Sequence, residues 1–193
     1  MPDENATNII QTRLSGNESI QETVLALYLE TITSKNLDSI SKNTSTLDYV
    51  IEHISVGKEI FTKNFLSVIN DSIFEYGFTN KADDYLIEQF TRIGPFVRDW
   101  LSEIYVENIN NEANLIGLLR VISHLPFGIV YPAGVIIATN AISHKSNAVK
   151  ESGIRAFENW EDKKCLDLLK NTEISDPWLK KYLESVVKSI EEN

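Results

Sequence analysis

The sequence predicts an all-α protein, in which an irregular helical bundle continues into antiparallel helix pairs. Three observations support this fold class. Apolar residues recur every three to four positions through most of the chain, which is the spacing of one buried helix face. Glycine (8) and proline (5) are scarce among the 193 residues, as long helices require. Two apolar patterns near the C-terminus match at an offset of thirty residues, which indicates a structural repeat.

Composition places the chain among ordinary globular proteins, with 42% hydrophobic and 24% charged residues. A single cysteine, Cys165, excludes an intramolecular disulfide and a cysteine-based zinc site. The N-terminus lacks the charged-then-apolar layout of a signal peptide. The most apolar stretch, Phe127–Ile142, contains two glycines and a proline and is shorter than the roughly 20 apolar residues of a membrane span. We therefore expect a cytoplasmic protein with no membrane association.

The charge is strongly negative and unevenly distributed. The formal net charge is −10, and residues 1–143 hold nine basic and eighteen acidic side chains, whereas residues 144–193 hold nine and ten. An acidic surface repels phosphate, so nucleic-acid binding is disfavoured and a basic protein partner is favoured. The alternative interpretation is that the negative excess only keeps the protein soluble.

The N-terminal part is predicted to contain a flexible tail at residues 1–17 and a helical region at residues 18–110. A first amphipathic helix is expected at residues 18–33, because Ile20 and the leucines that follow share one face. Residues 34–46 are rich in serine, threonine and asparagine and are expected to form a connection.

Glycine and proline are predicted to divide the rest of this region. Gly57 is expected to end a short helix, and a longer one then runs from Ile60 to about Gly77. Asn80 or Asp83 is expected to cap the next helix, which ends at Gly94-Pro95.

Pro95 is placed to begin a helix at about residues 95–108, where its missing N–H is not needed. Asn110–Glu112 then forms a break. Residues 111–193 are predicted to form helix pairs packed as one compact unit with the region before them. The expected helices are one that ends before Pro126, then residues 132–143, residues 148–160, a short one around Cys165–Leu169, and a final one from Pro177.

The C-terminal third resembles a known repeat. The segment HKSNAVKESGIRAFENWEDKKCLDLL is similar to the HEAT-like (armadillo-type) repeat, with Asn147 where the family often has aspartate and Gly153 where it often has alanine. The segment SDPWLKKYLESVVKSI resembles the start of a closing repeat. The resemblance extends from Tyr131 onward and implies a short α-solenoid that binds proteins or nucleic acid. Independently, Gly153 inside a helix indicates that a neighbouring helix approaches it closely.

No motif of catalysis or metal binding is found. The three histidines, His53, His124 and His144, are not spaced as helical metal ligands, and His124 and His144 follow helix ends, where capping is the expected role. Cys165 occupies an apolar position of a short helix, as a buried structural cysteine does. No cofactor or metal is expected.

Two segments are candidate interaction sites. Asp99, Glu103 and Glu107 follow one another at spacings of four, opposite the apolar face of their helix, and are predicted to form an acidic ridge that binds a basic partner. The simpler interpretation is that they are only solvated. The apolar segment Phe127–Tyr131 either lies in the core, which we favour, or forms an exposed contact surface.

We therefore predict a non-enzymatic protein–protein interaction module, in one form an acidic inhibitor or immunity-type protein that neutralises a basic partner. One alternative is a nucleic-acid-binding helical-repeat protein. Another is an enzyme whose pocket gathers the histidines with carboxylates. The oligomeric state is left open. The only local concentration of basic residues for the nucleic-acid alternative is Lys145, Lys150, Arg155, Lys163 and Lys164.

Overall fold

The structure is a computed structural model that describes residues 44–72 and 79–192, with the side chains of residues 44–53 and Pro95 outside the description. Several predictions therefore lie outside the described residues. They are the tail at 1–17, the helix at 18–33, most of the connection at 34–46, the helix end near Gly77, and the side chain of His53.

Within the described ranges the regular structure is helical and no strand occurs, which confirms the all-α fold class. A short 3-10 turn at Lys163–Cys165 precedes one of the helices. The α-helices are α1 (Thr44–Asp71), α2 (Lys81–Glu107), α3 (Glu112–His124), α4 (Phe127–Val130), α5 (Ala133–Ile142), α6 (Asn147–Trp160), α7 (Leu166–Lys170) and α8 (Pro177–Glu192).

The chain divides into two compact units. The first comprises Met1–Lys63 with Thr91–Ile93, and its described residues are helical parts of α1 and α2. The second comprises Asn64–Phe90 and Gly94–Asn193. It contains α3 to α8 and all the candidate interaction residues.

The predicted break at Gly57 is wrong, because α1 continues through it from Thr44 to Asp71. Glycine costs about 1 kcal/mol relative to alanine inside a helix, and it commonly ends one where the backbone turns left-handed. Gly57 is buried within this continuous helix.

The predicted boundary at Gly94-Pro95 is a kink within α2 rather than a gap. The backbone leaves helical geometry at Ile93, with φ −141° and ψ 34°, and then resumes the helix to Glu107. Pro95 explains the bend, because proline lacks an N–H and clashes with the carbonyl of residue i−4. Two helical segments are present, as predicted, but they remain joined.

Side-chain caps fix where several helices begin. Asn80 Oδ1 accepts hydrogen bonds from the backbone N–H groups of Ala82 (2.8 Å) and Asp83 (3.2 Å). Asp83 Oδ2 accepts the Asn80 N–H at 3.0 Å, which completes a capping box and confirms the predicted start. Asn111 Oδ1 caps α3 by accepting the Asn114 N–H, and Asp176 Oδ1 caps α8 by accepting the N–H groups of Trp178 and Leu179.

The helices after Asn111 pack in a repeating manner. α6 packs against α3 on one side and α8 on another, α5 lies against α6, and α7 lies against α8. The offset of thirty residues that relates the apolar patterns of α6 and α8 in sequence also relates their buried positions in the structure. Buried positions on α6 correspond to buried positions on α8 in four pairs: Val149 with Leu179, Gly153 with Leu183, Ala156 with Val186, and Trp160 with Ile190. This arrangement is compatible with a helical repeat.

Gly153 confirms the predicted close approach. A Cβ added there would lie 2.8 Å from the carbonyl oxygen of Ala138 and 3.0 Å from the Cβ of Ala141, both on α5. Gly117 on α3 plays a similar part, because a side chain there would collide with Ile69 of α1. Glycines therefore let the helix axes approach closely.

Hydrogen bonds also join the turns between helices. His144 Nε2 lies 2.9 Å from the Ile109 carbonyl oxygen, and Ser146 Oγ donates to Glu112 Oε2 at 2.8 Å. The turn after α5 is thereby tied to the turn after α2. The predicted cap at Ser146 is correct in position, but its hydroxyl makes this longer-range bond instead of capping α6. Asn147 Nδ2 donates to Asp176 Oδ2 at 3.1 Å, which connects the start of α6 to the residue that caps α8.

Candidate interaction site

The acidic ridge lies on the exposed face of α2. Asp99, Glu103 and Glu107 are all exposed. The opposite face is buried through Val97, Trp100, Leu101 and Ile104. Spacings of four place the carboxylates on successive turns of the helix, so they follow one stripe. The predicted placement of the three side chains is therefore correct, whereas their role in binding stays a prediction.

An apolar side chain interrupts the acidic ridge. Val106 is 68% exposed, the largest exposed fraction among the large apolar residues described. It follows Asp99 by seven positions and Glu103 by three, which places it on the same helix face. Val106 is absent from the predicted site residues, although the apolar periodicity of α2 leaves it off the buried side. The ridge thus combines negative charge with an apolar contact.

The second candidate segment divides between core and surface. Val130 is 1% exposed, as expected for a core position, whereas Tyr131 is 49% exposed. Phe127 is half-buried and precedes Tyr131 by four residues, one turn of α4. Their ring centroids are 5.4 Å apart with an interplanar angle of 43°. We call Phe127 and Tyr131 the aromatic pair.

The aromatic pair rests on a fixed support. Trp160, the last residue of α6, meets the Phe127 ring edge-on at a centroid distance of 5.9 Å. Its indole Nε1–H donates to the Ile122 carbonyl oxygen at 3.3 Å, which holds the ring in place. Arg98 Nε donates to the Ile129 carbonyl oxygen at 3.0 Å and so attaches α4 to α2. The segment is anchored from two sides.

A lysine lies over both rings of the aromatic pair. Lys164 Nζ is 6.0 Å from the Phe127 ring centroid and 5.9 Å from that of Tyr131, at the distance of cation–π contacts. The backbone brings it there in two steps. Glu161 adopts a left-handed conformation (φ 47°) that ends α6, and Asp162 Oδ1 then accepts the Lys164 N–H at 2.9 Å. This contact was not predicted, because it depends on the turn at Glu161.

The two histidines with described side chains make separate structural contacts. His124 Nδ1 lies 3.0 Å from the Asp83 carboxylate, which is almost fully buried. His144 is buried, and its Nδ1 accepts the Ser146 N–H at 3.0 Å, so the proton must sit on Nε2, which donates to Ile109. In the described ranges, no three His, Cys, Asp or Glu side chains are grouped as a metal site would require.

Cys165 is a buried, protonated thiol. It is 3% exposed, and burial, assisted by the negative charge of Asp162, raises its pKa to about 11. A thiol becomes a nucleophile only as the thiolate, which is scarce at neutral pH when the pKa is that high. The geometry therefore fits the predicted packing role.

The basic residues of the nucleic-acid alternative are dispersed among local contacts. Arg155 pairs with Glu151 at 2.9 Å, and Lys145 Nζ donates to Asn110 Oδ1 at 3.1 Å. Lys164 lies over the aromatic pair, as described above. A positive stripe for phosphate is therefore interrupted by carboxylates and by these contacts.

A shallow groove of 770 Å³ lies between α7, the following turn and α8. Leu169 and Leu183 are buried beneath it, and its lining includes the charged residues Lys170, Glu173, Lys180 and Glu184. It contains no histidine or cysteine. Among residues 44–72 and 79–192, no helix combines the length and the apolar character needed to cross a membrane.

Comparison with known protein families, with curated proteins and with solved structures finds no match for this chain. The resemblance to the HEAT-like repeat therefore stays a prediction. What the structure contributes is the repeated packing of α3, α6 and α8 and the hydrogen bonds between turns.

Proposed function

We propose that this protein is a non-enzymatic interaction module that binds a basic partner protein through the acidic ridge of α2. The observation that carries the proposal is the exposed stripe of three carboxylates with Val106 among them. Opposite charges steer a basic partner toward such a stripe and fix its register, and the exposed apolar side chain adds area that binding can bury. The overall charge of −10 acts in the same direction.

The proposed role is that of an inhibitor or immunity-type protein, which neutralises the basic partner by covering its charged surface. The proposed scaffold is a HEAT-like repeat, supported by the matched burial of α6 and α8 and by the sequence resemblance. A cytoplasmic location belongs to the same proposal, since the single thiol is buried and unpaired with any other cysteine. Nucleic-acid binding has less support, because Lys145, Arg155 and Lys164 already engage local partners.

The decisive experiment is affinity purification from the native host with the wild-type chain and with a ridge-reversed variant, Asp99→Lys, Glu103→Lys and Glu107→Lys. We expect the wild type to capture a protein of positive net charge and the ridge-reversed variant to lose it. Circular dichroism should remain helical, because all three side chains are exposed.

A matched control keeps the same change of net charge but places it elsewhere. The three exposed carboxylates Asp167, Glu173 and Glu184 are reversed to lysine instead. This control should retain the partner. Equal loss of partner capture in both triple variants would show that net charge alone, and not the acidic ridge, determines capture. Retention of the partner by both variants would contradict the proposed role of the acidic ridge.

A further inference from the structure

The aromatic pair already holds an ammonium group, and this indicates what else it can bind. We propose that Phe127 and Tyr131 form a platform for a lysine side chain of the partner, and that Lys164 is a resident occupant which the partner's lysine displaces. This inference rests on the proposed function, because it names a second contact for the same basic partner. It differs in chemistry, since the contact is made by rings rather than carboxylates.

The geometry of the rings supports this occupant. Two tilted rings 5.4 Å apart present their π-faces to one position, and the Lys164 ammonium lies within 6.0 Å of both centroids. The negative potential of a ring face attracts a cation and does little for a neutral group. Trp160 and the Arg98 bond to Ile129 hold the platform in place, so an incoming side chain meets preorganised rings.

The resident ammonium is held weakly enough to be exchanged. Lys164 is exposed, and within the described residues no carboxylate lies within ion-pair distance of its Nζ. The ring contacts therefore provide its interaction, on a flexible stem that can move aside. Tyr131, with 49% of its surface exposed, is open to solvent beside it.

The position of the platform agrees with a shared partner. Arg98, which immediately precedes the first carboxylate of the acidic ridge, donates to the carbonyl of Ile129 in α4. The ridge therefore begins on the part of α2 that is attached to the aromatic pair. A basic surface that docks on the carboxylates brings lysines to this region by the same electrostatic attraction.

The test uses a short peptide in which lysine alternates with glycine, and the same peptide with every lysine acetylated, which removes the charge. Binding to the full chain is followed by NMR shifts of the amides of α4 and of the Trp160 indole. We expect the lysine peptide to bind weakly at the aromatic pair and the acetylated peptide to produce no shifts there. Binding of both peptides alike would overturn the proposal in favour of an apolar docking surface.

Two lysine variants separate displacement from general electrostatics. Lys164→Ala empties the platform, whereas Lys163→Ala removes the same charge from the adjacent exposed residue without touching the rings. We expect Lys164→Ala to tighten peptide binding about two- to fivefold beyond Lys163→Ala, the range that corresponds to an exposed cation–π contact. Equal affinities for the two variants would overturn the displacement.

Tyr131→Ala should have the opposite effect and weaken binding of the lysine peptide about two- to fivefold. Its helical circular dichroism should be unchanged, because the side chain is exposed. Unaltered affinity in this variant would overturn the platform.

The ratio of the peptide affinities of Lys164→Ala and Lys163→Ala reports on the aromatic pair alone, whereas partner capture by the ridge-reversed variant reports on the proposed function. Failure of one is therefore distinguishable from failure of the other.

Discussion

Gly153 on α6 lies so close to Ala138 on α5 that a Cβ on the glycine would come within 2.8 Å of the alanine carbonyl oxygen. The obstacle is backbone, which cannot rotate away as a side chain can. The distance between α5 and α6 therefore depends on the absence of a single methyl group. Because α6 also packs against α3 and α8, this contact helps to position two other helices.

Gly153→Ala should destabilise the protein even though alanine is the better helix former. The gain in helix propensity is about 0.8–1.0 kcal/mol, whereas overpacking of this kind costs about 1–3 kcal/mol. We expect a net loss of about 1 kcal/mol in urea unfolding. Gly128→Ala is the control, because nothing lies within 4 Å of its added Cβ. Its stability should stay equal or rise, and a Gly153→Ala protein that gains stability would contradict the close approach.

His144→Ala should destabilise the protein by about 1–3 kcal/mol, since it leaves the Ile109 carbonyl and the Ser146 N–H without their buried partner. Thermal unfolding measures the change. Lys145→Ala, at the neighbouring exposed position, removes one surface hydrogen bond and should change stability by less than about 0.5 kcal/mol. Similar losses for the two variants would show that the imidazole does not join the turns.

Asp176 should give the protein a stability contribution that depends on pH. Hydrogen bonds from the backbone N–H of Leu179, then of Trp178, and from the Asn147 side chain lower the pKa of its carboxyl group below the usual 3.8. A carboxyl group whose pKa is lower in the folded than in the unfolded state stabilises the folded protein at pH values above the unfolded-state pKa. This stabilisation is lost as the pH falls through the folded-state pKa.

The cost of Asp176→Ala in urea unfolding should therefore be larger at about pH 7 than at about pH 2.5. Asp176→Asn can still accept hydrogen bonds at the start of α8 but carries no charge. Its deficit at about pH 7 should be smaller than that of alanine. A cost for Asp176→Ala that is the same at both pH values would exclude the charged carboxylate as its source.

Cys165 should resist alkylation while the protein is folded. A rise in its pKa from 9.0 to about 11 reduces the thiolate roughly a hundredfold at a given pH below both values, and burial limits access as well. Iodoacetamide labelling at about pH 8, followed by mass spectrometry, should be at least tenfold slower than in urea. Because this is the only cysteine, every thiol adduct reports on it. Equal rates would show that the thiol is accessible in the folded protein.

Local signals were sufficient for much of the fold. The sequence predicts that α2 begins at Asn80 or Asp83, and the structure places the N-cap at Asn80. The periodicity of α6 and α8 identifies their buried faces. The predicted helix end at Gly57 is wrong, because a glycine weakens a helix without by itself ending it.

The candidate site was less accessible to prediction. The acidic ridge follows from a spacing of four on one helix. In contrast, the placement of Lys164 over the aromatic pair requires the left-handed turn at Glu161. A glutamate in the sequence does not indicate a left-handed backbone, which non-glycine residues rarely adopt. The pairing of His124 with Asp83 joins residues 41 positions apart, and no local pattern encodes it.

The hydrogen bonds between turns have a consequence for engineering the chain. Surface turns usually accept inserted residues, because few contacts depend on their length. The turn after α5 is different, since His144 and Lys145 each reach a partner in the turn after α2, and Ser146 reaches Glu112 at the start of α3. One extra residue there would shift all three donors out of register together. A tag or reporter inserted at this turn would therefore disrupt the protein, although most of the turn lies at the surface.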